Sequence, residues 1–324
     1  MRWDELKAGL LSVGTARLAG EPAGDYIAHS AAGPGAGGPG SVFFSLGGKR
    51  VRLEVEGESP VLVTHMGGGK AVLEHGGVKV EGSLERIALH CPRQAYLTVS
   101  SGCIFSCRYC GVPGKPPARK SVAEIVGMVR KVADRVDAIS LTSGVVGSAG
   151  EEERYVLEVV RELRRQFSLP IGVSIYPTEK TPERLFSLGV AEVKFNVETA
   201  TDSLFGEMCP GLSRDALWEA LSQSVQLFGR NHVFSNLIVG LGETDEEAIA
   251  CIRRLAGMGV VTIVRPLTPA AACRDYPRPS PERLLALYRV HSAVLREAGL
   301  DPREAVSMCP ACTGCDLAPG RDDA

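Results

Sequence analysis

No apolar run in the 324 residues reaches about 18, so nothing in the sequence reads as a membrane-spanning helix. The opening Met1-Arg2-Trp3-Asp4-Glu5-Leu6-Lys7 lacks the apolar core of a signal peptide, and the cytoplasm is the expected compartment. Excess charge is missing too. With 36 Lys and Arg against 38 Asp and Glu, a net charge of -2 and a pI near 6.3, no electrostatic footprint for nucleic acid or an anionic membrane is present, and neither is expected as a partner. A hydrophobic share of 44% provides core for one large domain and a smaller appendage.

Cysteine, by contrast, is plentiful, and it is clustered. Ten cysteines would be a hazard unless the compartment is reducing or metals occupy them. In Ser101-Gly102-Cys103-Ile104-Phe105-Ser106-Cys107-Arg108-Tyr109-Cys110-Gly111-Val112-Pro113, Cys103, Cys107 and Cys110 stand at C-x3-C-x2-C spacing, directly after a strand-like run. Three thiolates suit a cubane iron-sulfur cluster with one iron lacking a protein ligand, and an open metal position usually means chemistry. A structural zinc normally takes four ligands. The spacing i, i+4, i+7 also fits one face of a helix, but Gly102, Gly111 and Pro113 argue for a loop wrapped around a ligand. A disulfide reading fits three cysteines within eight residues less well than metal binding.

The rest of the chain divides by pattern. Residues 2 to 11 place Trp3, Leu6, Leu10 and Leu11 at helical spacing, predicting an amphipathic helix that packs as a lid or arm. Gly33, Gly35 and Gly38 fall in G-x-G-x-x-G register, yet strand-like runs follow rather than precede them, so residues 31 to 40 read as a loop and not a dinucleotide site. Residues 42 to 88 alternate apolar and polar between glycine turns and predict a small antiparallel sheet of about four strands. His65 and His75 there, and His90 just after, read as surface or satisfied core residues.

From residue 95 strands and helices alternate. Strands are expected at 95 to 100, 137 to 142, 171 to 175, 191 to 197, 233 to 239 and 260 to 264. Helices are expected near 121 to 134, 151 to 166, 181 to 188, 213 to 228, 244 to 257 and 280 to 298. Six apolar strands each followed by a helix predict an α/β fold, a partial (β/α)6 TIM-like barrel. A small β-rich subdomain with its N-terminal helix (1–92) precedes the barrel (93–300), and a cysteine-rich tail (301–324) follows it.

The tail carries Cys309-Pro310-Ala311-Cys312-Thr313-Gly314-Cys315, a ferredoxin-like C-x2-C-x2-C. Its occupant is an iron-sulfur cluster or a zinc ion, with Cys91, Cys273 or His90 available as a fourth ligand. Cys209 and Cys251 read as core or loop residues. In barrels of parallel strands chemistry collects where the strands end. Asn196 and Glu198, two apart on the fourth strand, would share a face and offer an amide and a carboxylate to ribose hydroxyls or an ammonium group. Gly240 and Gly242 would let backbone approach a ligand, with Ile238 and Leu241 as apolar contacts, and Thr244 with Glu247 forms a capping box. Arg265, in a barrel mouth, suits a carboxylate-bearing cofactor, or else a salt bridge to Glu198.

The C-x3-C-x2-C motif with Tyr109 before its last cysteine resembles that of the radical S-adenosylmethionine superfamily. The resemblance implies Cys103, Cys107 and Cys110 as ligands of a 4Fe-4S cluster whose open iron is chelated by S-adenosylmethionine, and Tyr109 as an adenine neighbour. One-electron cleavage of that cofactor then gives a 5'-deoxyadenosyl radical. By position, Thr142, Ser143 and Gly144 fall where the superfamily has a Gly-Gly-Glu-like segment for the methionyl amino group, although the glutamate is absent here. Asn196-Val197-Glu198-Thr199 resembles the Asn-x-Glu-Thr segment of biotin and lipoyl synthases, and the segment Asn236 to Glu243 resembles the superfamily's G-x-I-x-G-x-x-E region.

Within that framework the terminal triplet is expected to hold an auxiliary 4Fe-4S cluster. Its sulfides provide for C-S bond formation at an inert methylene. The chain as a whole resembles the two-protein lipoyl synthases, which implies an octanoyl chain on a lipoyl carrier protein or domain as substrate, attacked at C6 or C8. A second radical S-adenosylmethionine subunit and an electron donor such as ferredoxin or flavodoxin are the implied partners. Alternatives are a biotin-synthase-like enzyme or a hydrogenase-cofactor maturase, and, from another class, a non-catalytic iron-sulfur carrier.

Overall fold

The computed structural model describes residues 2–29, 40–113 and 115–323, so Gly33, Gly35 and Gly38 lie outside the described residues. Helix α1 (Trp3–Val13) comes first, ending at Gly14, which closes it in the left-handed conformation (φ 76°). Then follow β1 (Thr15–Gly20), β2 (Ser41–Leu46), β3 (Lys49–Val55), β4 (Leu62–His65), β5 (Lys70–His75) and β6 (Val78–Leu84). These six close into a small barrel in the order β1-β3-β2-β6-β5-β4.

The expected four-stranded antiparallel sheet is thus incomplete. Strand β1 pairs in parallel with both β3 and β4 and supplies the closure. Nor is α1 a lid or arm. Its Trp3, Leu6, Leu10 and Leu11 are buried, and it packs against α8 (Pro281–Glu297) and β3. The fully buried Lys7 donates 2.6 Å hydrogen bonds to the Asp322 carboxylate and the Thr313 carbonyl, which ties the first helix to the last residues.

The larger unit alternates as its apolar runs predict. It comprises β7 (Gln94–Thr98), the short pair β8 (Ser100–Ser101) and β9 (Ala118–Arg119), α2 (Val122–Arg130), β10 (Ala138–Thr142), α3 (Ala149–Gln166), β11 (Ile171–Ser174) and α4 (Thr181–Ser187). Next come β12 (Glu192–Lys194), α5 (Asp202–Met208), α6 (Arg214–Phe228), β13 (Val233–Val239), α7 (Asp245–Met258), β14 (Val261–Pro266), α8, and a short α9 (Met308–Cys312). The six long strands form one open sheet in the order β14-β13-β12-β11-β10-β7, every pair parallel. All seven residues of β13 are buried, as a strand covered on both faces requires. Capping boxes at Ser121 with Glu124, Ser148 with Glu151 and Thr244 with Glu247 start the helices where the strand patterns stop.

The cysteine-rich tail is gripped from below by four neighbouring strands. Gln94 Nε2 donates to the Met308 carbonyl at 2.9 Å, and Ser140 Oγ accepts from Met308 N at 3.0 Å. The buried Glu192 carboxylate accepts from Val306 N and Ser307 N, both at 2.8 Å. Gly172 completes the seat, since a Cβ there would stand 2.1 Å from Ser307 Oγ. Gln94, Gly172 and Glu192 lie in the first halves of their strands and Ser140 at the middle of β10, so the tail enters from the base of the partial barrel. Among the described residues no helix is long and apolar enough to cross a membrane.

Candidate active site

The loop after β8 carries the first cysteine set and folds back onto the segment after β10. Gly144 makes this possible. Its N-H donates to Ser100 O at 3.0 Å, and a Cβ at this position would stand 2.1 Å from the Gly102 carbonyl. Val145 N donates to Cys103 Sγ at 3.4 Å, and Ile104 N to Val145 O at 2.7 Å. Burial pushes the Cys110 thiol up to about 12, and a hydrogen bond to Cys209 together with burial raises Cys107. Thiols held this way release their protons to a metal rather than to water. Cys209, expected as a core or loop residue, is buried against the motif, its sulfur 3.7 Å from the Tyr109 hydroxyl.

Cys103, Cys107 and Cys110 line a cavity of about 300 Å³ within the partial barrel, and so do Cys309, Cys312 and Cys315 from the tail. Between the two sets its wall is built from strand residues. Strand β12 stops at Lys194, short of the expected residue 197, and the chain then turns so that Glu198 adopts a left-handed backbone (φ 59°). Simple alternation therefore does not put Asn196 and Glu198 on one side, yet both line the cavity. Burial raises the Glu198 carboxyl above its usual range, against the opposing pull of Lys194 and hydrogen bonds to Asn196 and Tyr109.

Two buried polar atoms in this wall, Thr98 Oγ1 and Asn236 Oδ1, have no hydrogen-bond partner. Unpaired buried oxygens are costly unless a ligand completes them. With three clustered thiols, an amide and a carboxylate beside them, the lining fits a cluster together with a polar, zwitterionic cofactor. Among the described residues no group of three or more His, Cys, Asp or Glu is drawn together as a single metal ion requires. A cubane holds its cysteines further apart than one ion does.

The other expected residues sort themselves by position. Thr142, Ser143 and Gly144 line the cavity, but the Ser143 hydroxyl is engaged, donating to Glu152 Oε1 at 2.5 Å and accepting from Ser100 N at 2.9 Å. Ile238 lines the wall, whereas Gly240 and Leu241 lie outside it, in a turn organised by Glu243. That carboxylate accepts from Gly240 N at 2.7 Å, Leu241 N at 2.9 Å and Arg283 at 2.8 Å. Arg265 turns toward the tail, its Nη1 3.9 Å from Cys309 Sγ, and Lys194 Nζ is 3.3 Å from the same sulfur. Burial opposes the Arg265 charge, but Cys315, Cys309 and Asp316 hold the guanidinium ionised.

At the tail the Cys91 thiol hydrogen-bonds to Cys312, which brings Cys312 down to about 7 and leaves Cys91 held protonated. Burial keeps His90, whose ring lies 5.2 Å from that of Tyr96, neutral with a pKa of about 3. Lys194 and Tyr96 are site residues that the sequence did not single out; the available signal is a polar or charged residue within an otherwise apolar barrel strand.

An open sheet of six parallel strands with a three-cysteine loop after the first defines a class, and the comparisons agree. Residues 97–255 match the model of the Radical SAM superfamily, which identifies that stretch as a Radical SAM domain. It is 26% identical over 187 residues to a lipoyl synthase of Caldicellulosiruptor saccharolyticus, a match covering 54% of this chain and 64% of that protein. The chain thus spans a little under two thirds of the curated relative. Its fold is similar to that of HydG, a maturase of the FeFe-hydrogenase, with a TM-score of 0.53 at 17% identity over 65% of this chain and 53% of the other. Methylornithine synthase (PylB) gives a TM-score of 0.51 at 16% identity over 65% and 70%. At such identities the two structures speak to the fold alone.

Proposed function

We propose that this radical S-adenosylmethionine enzyme inserts sulfur into a protein-bound octanoyl chain, as one subunit of a two-protein lipoyl synthase. The observation that carries the reading is the shared cavity: two cysteine triplets, one from the loop after β8 and one from the tail at the barrel base, open onto the same space. When bound, a 4Fe-4S cluster with S-adenosylmethionine supplies a radical that removes hydrogen from an unactivated carbon, and an auxiliary cluster at the tail supplies sulfide.

The chain's own residues divide the remaining work. Ile238, Ile263 and Leu267 give the cavity apolar wall, suited to an alkyl chain. Asn196, Glu198 and Asn236 keep hydrogen-bonding groups near the first cysteine set, and burial of Tyr96 and Tyr109 excludes water from the wall. Lys194 and Arg265 hold positive charge against Cys309. The sequence likeness to a lipoyl synthase supports the substrate class. In this reading the substrate is an octanoylated lipoyl carrier protein or domain, attacked at C6 or C8. A second radical S-adenosylmethionine subunit completes the pair, and ferredoxin or flavodoxin delivers the electron.

The test is anaerobic turnover of the reconstituted chain with reductant, S-adenosylmethionine, octanoylated carrier domain and the second subunit. 5'-Deoxyadenosine and the carrier mass are followed together. The expected result is cofactor cleavage with a gain of sulfur on the carrier, and loss of the sulfur gain with retained cleavage in Cys312→Ala. No cleavage under any condition would point to an iron-sulfur carrier. Cleavage without sulfur gain would move the assignment to a maturase-type reaction.

A further inference from the structure

The tail triplet offers three thiols, and the fold brings a fourth to it from a distant part of the sequence. Cys91 is fully buried in the turn that links the small barrel to β7. Its carbonyl accepts from Ala88 N at 3.2 Å, and an antiparallel bridge pairs it with Gln94. Gln94 is the residue whose side chain holds the Met308 carbonyl, immediately before Cys309. The turn bearing Cys91 and the start of the triplet are therefore fastened by the same side chain, and Cys312, Cys309 and Cys315 are the neighbours that the buried Cys91 thiol feels.

The remaining cysteines outside the two motifs go elsewhere. Cys209 stands against Tyr109, Cys251 is buried in α7, and Cys273 lies 4.0 Å from the Met208 sulfur. We infer that Cys91 is the fourth protein ligand of the tail site, which makes it a complete four-cysteine site for a 4Fe-4S cluster. Four thiolates are the usual protein complement of such a cluster. This inference rests on the two-cluster reading given above and deepens it: the first cysteine set leaves one iron open, whereas the tail set leaves none.

The test is iron and sulfide analysis with Mössbauer and EPR spectra of the full chain after anaerobic reconstitution, for wild type, Cys91→Ala, Cys91→Ser and Cys273→Ala. Wild type and Cys273→Ala are expected to carry about eight irons in two cubanes. Cys91→Ala is expected to lose at least one iron from the tail site, giving a three-iron EPR signal or an empty site, while the first cluster and its spectral response to S-adenosylmethionine persist. That persistence shows that the variant is folded. Cys91→Ser, close in size, is expected to keep the tail cluster with one iron site altered in its Mössbauer parameters. Two cubanes with unchanged spectra in both Cys91 variants would overturn the assignment. Only about four irons in wild type would overturn the two-cluster reading itself.

Discussion

Lys194 Nζ stands 3.3 Å from Cys309 Sγ, so the last residue of β12 joins the barrel interior to the tail. The same lysine faces the Glu198 carboxylate that belongs to the other end of the cavity. A cation next to a cluster ligand stabilises the more negative, reduced state. Two unit charges about 6 Å apart at an effective dielectric of about 20 interact by roughly 3 kcal/mol, on the order of 100 mV for one electron. In Lys194→Met the reduction potential of the proposed tail cluster should fall by that order, read by EPR-monitored redox titration. An unchanged potential would mean that the lysine serves Glu198 alone.

The grip on the tail makes a separate prediction. Glu192 accepts from Val306 N and Ser307 N inside the barrel base, and Gly172 leaves the room that Ser307 fills. Glu192→Ala strands the buried N-H and hydroxyl of Ser307, at about 1–3 kcal/mol per buried donor, and frees the part-buried Val306 N-H. Gly172→Ala forces Ser307 outward. Both variants should render the chain beyond residue 305 sensitive to limited proteolysis and halve the iron content while the first cluster stays. Full protection of the tail in both would show that its docking depends on the α1 contacts instead.

Much of this architecture is legible in the amino-acid sequence. Apolar strands separated by Ser121/Glu124, Ser148/Glu151 and Thr244/Glu247 boxes announce six strand-helix units, because strand burial and helix capping are local in sequence. The spacing of Cys103, Cys107 and Cys110 is local as well. What escaped is what distant segments decide. Thr15–Gly20 becomes a strand by pairing with β4, and β12 is interrupted after Lys194, where Val197 N donates to Ser235 Oγ, before pairing resumes at Glu198 opposite Leu237. Gln94, Ser140, Gly172 and Glu192 acquire a common task only once parallel pairing aligns their strands. Cys91 meets Cys312 for the same reason, and Arg265 lies on the tail side of the cavity rather than with the first cysteine set.

Gly144 tests how tightly the first cysteine loop is built. A methyl group there would meet the Gly102 carbonyl at 2.1 Å, and backbone on both sides leaves little freedom to yield. Overpacking of this kind costs about 1–3 kcal/mol, here concentrated on the loop that presents Cys103. Gly144→Ala should reconstitute with about half the wild-type iron and form no 5'-deoxyadenosine, the tail cluster remaining in the Mössbauer spectrum. A variant with full iron and normal cofactor cleavage would show that the loop adapts.

His291 gives the fold an acid-sensitive point away from both cysteine sets. It is buried in α8, packed toward β14, and desolvation lowers its pKa to about 4 from the usual 6.5. Between those values the unfolded chain binds a proton that the folded chain does not, so stability falls as pH drops from about 6.5 toward 4 and levels off below that. From pH 7 to pH 5 this one group should remove roughly 2 kcal/mol. His291→Leu has no such proton to bind, and its urea-unfolding free energy should fall by about that much less over the same interval. Because carboxylates titrate in both chains, the difference between the two pH dependences isolates the histidine. Parallel dependences would mean that the imidazole takes up its proton within the fold.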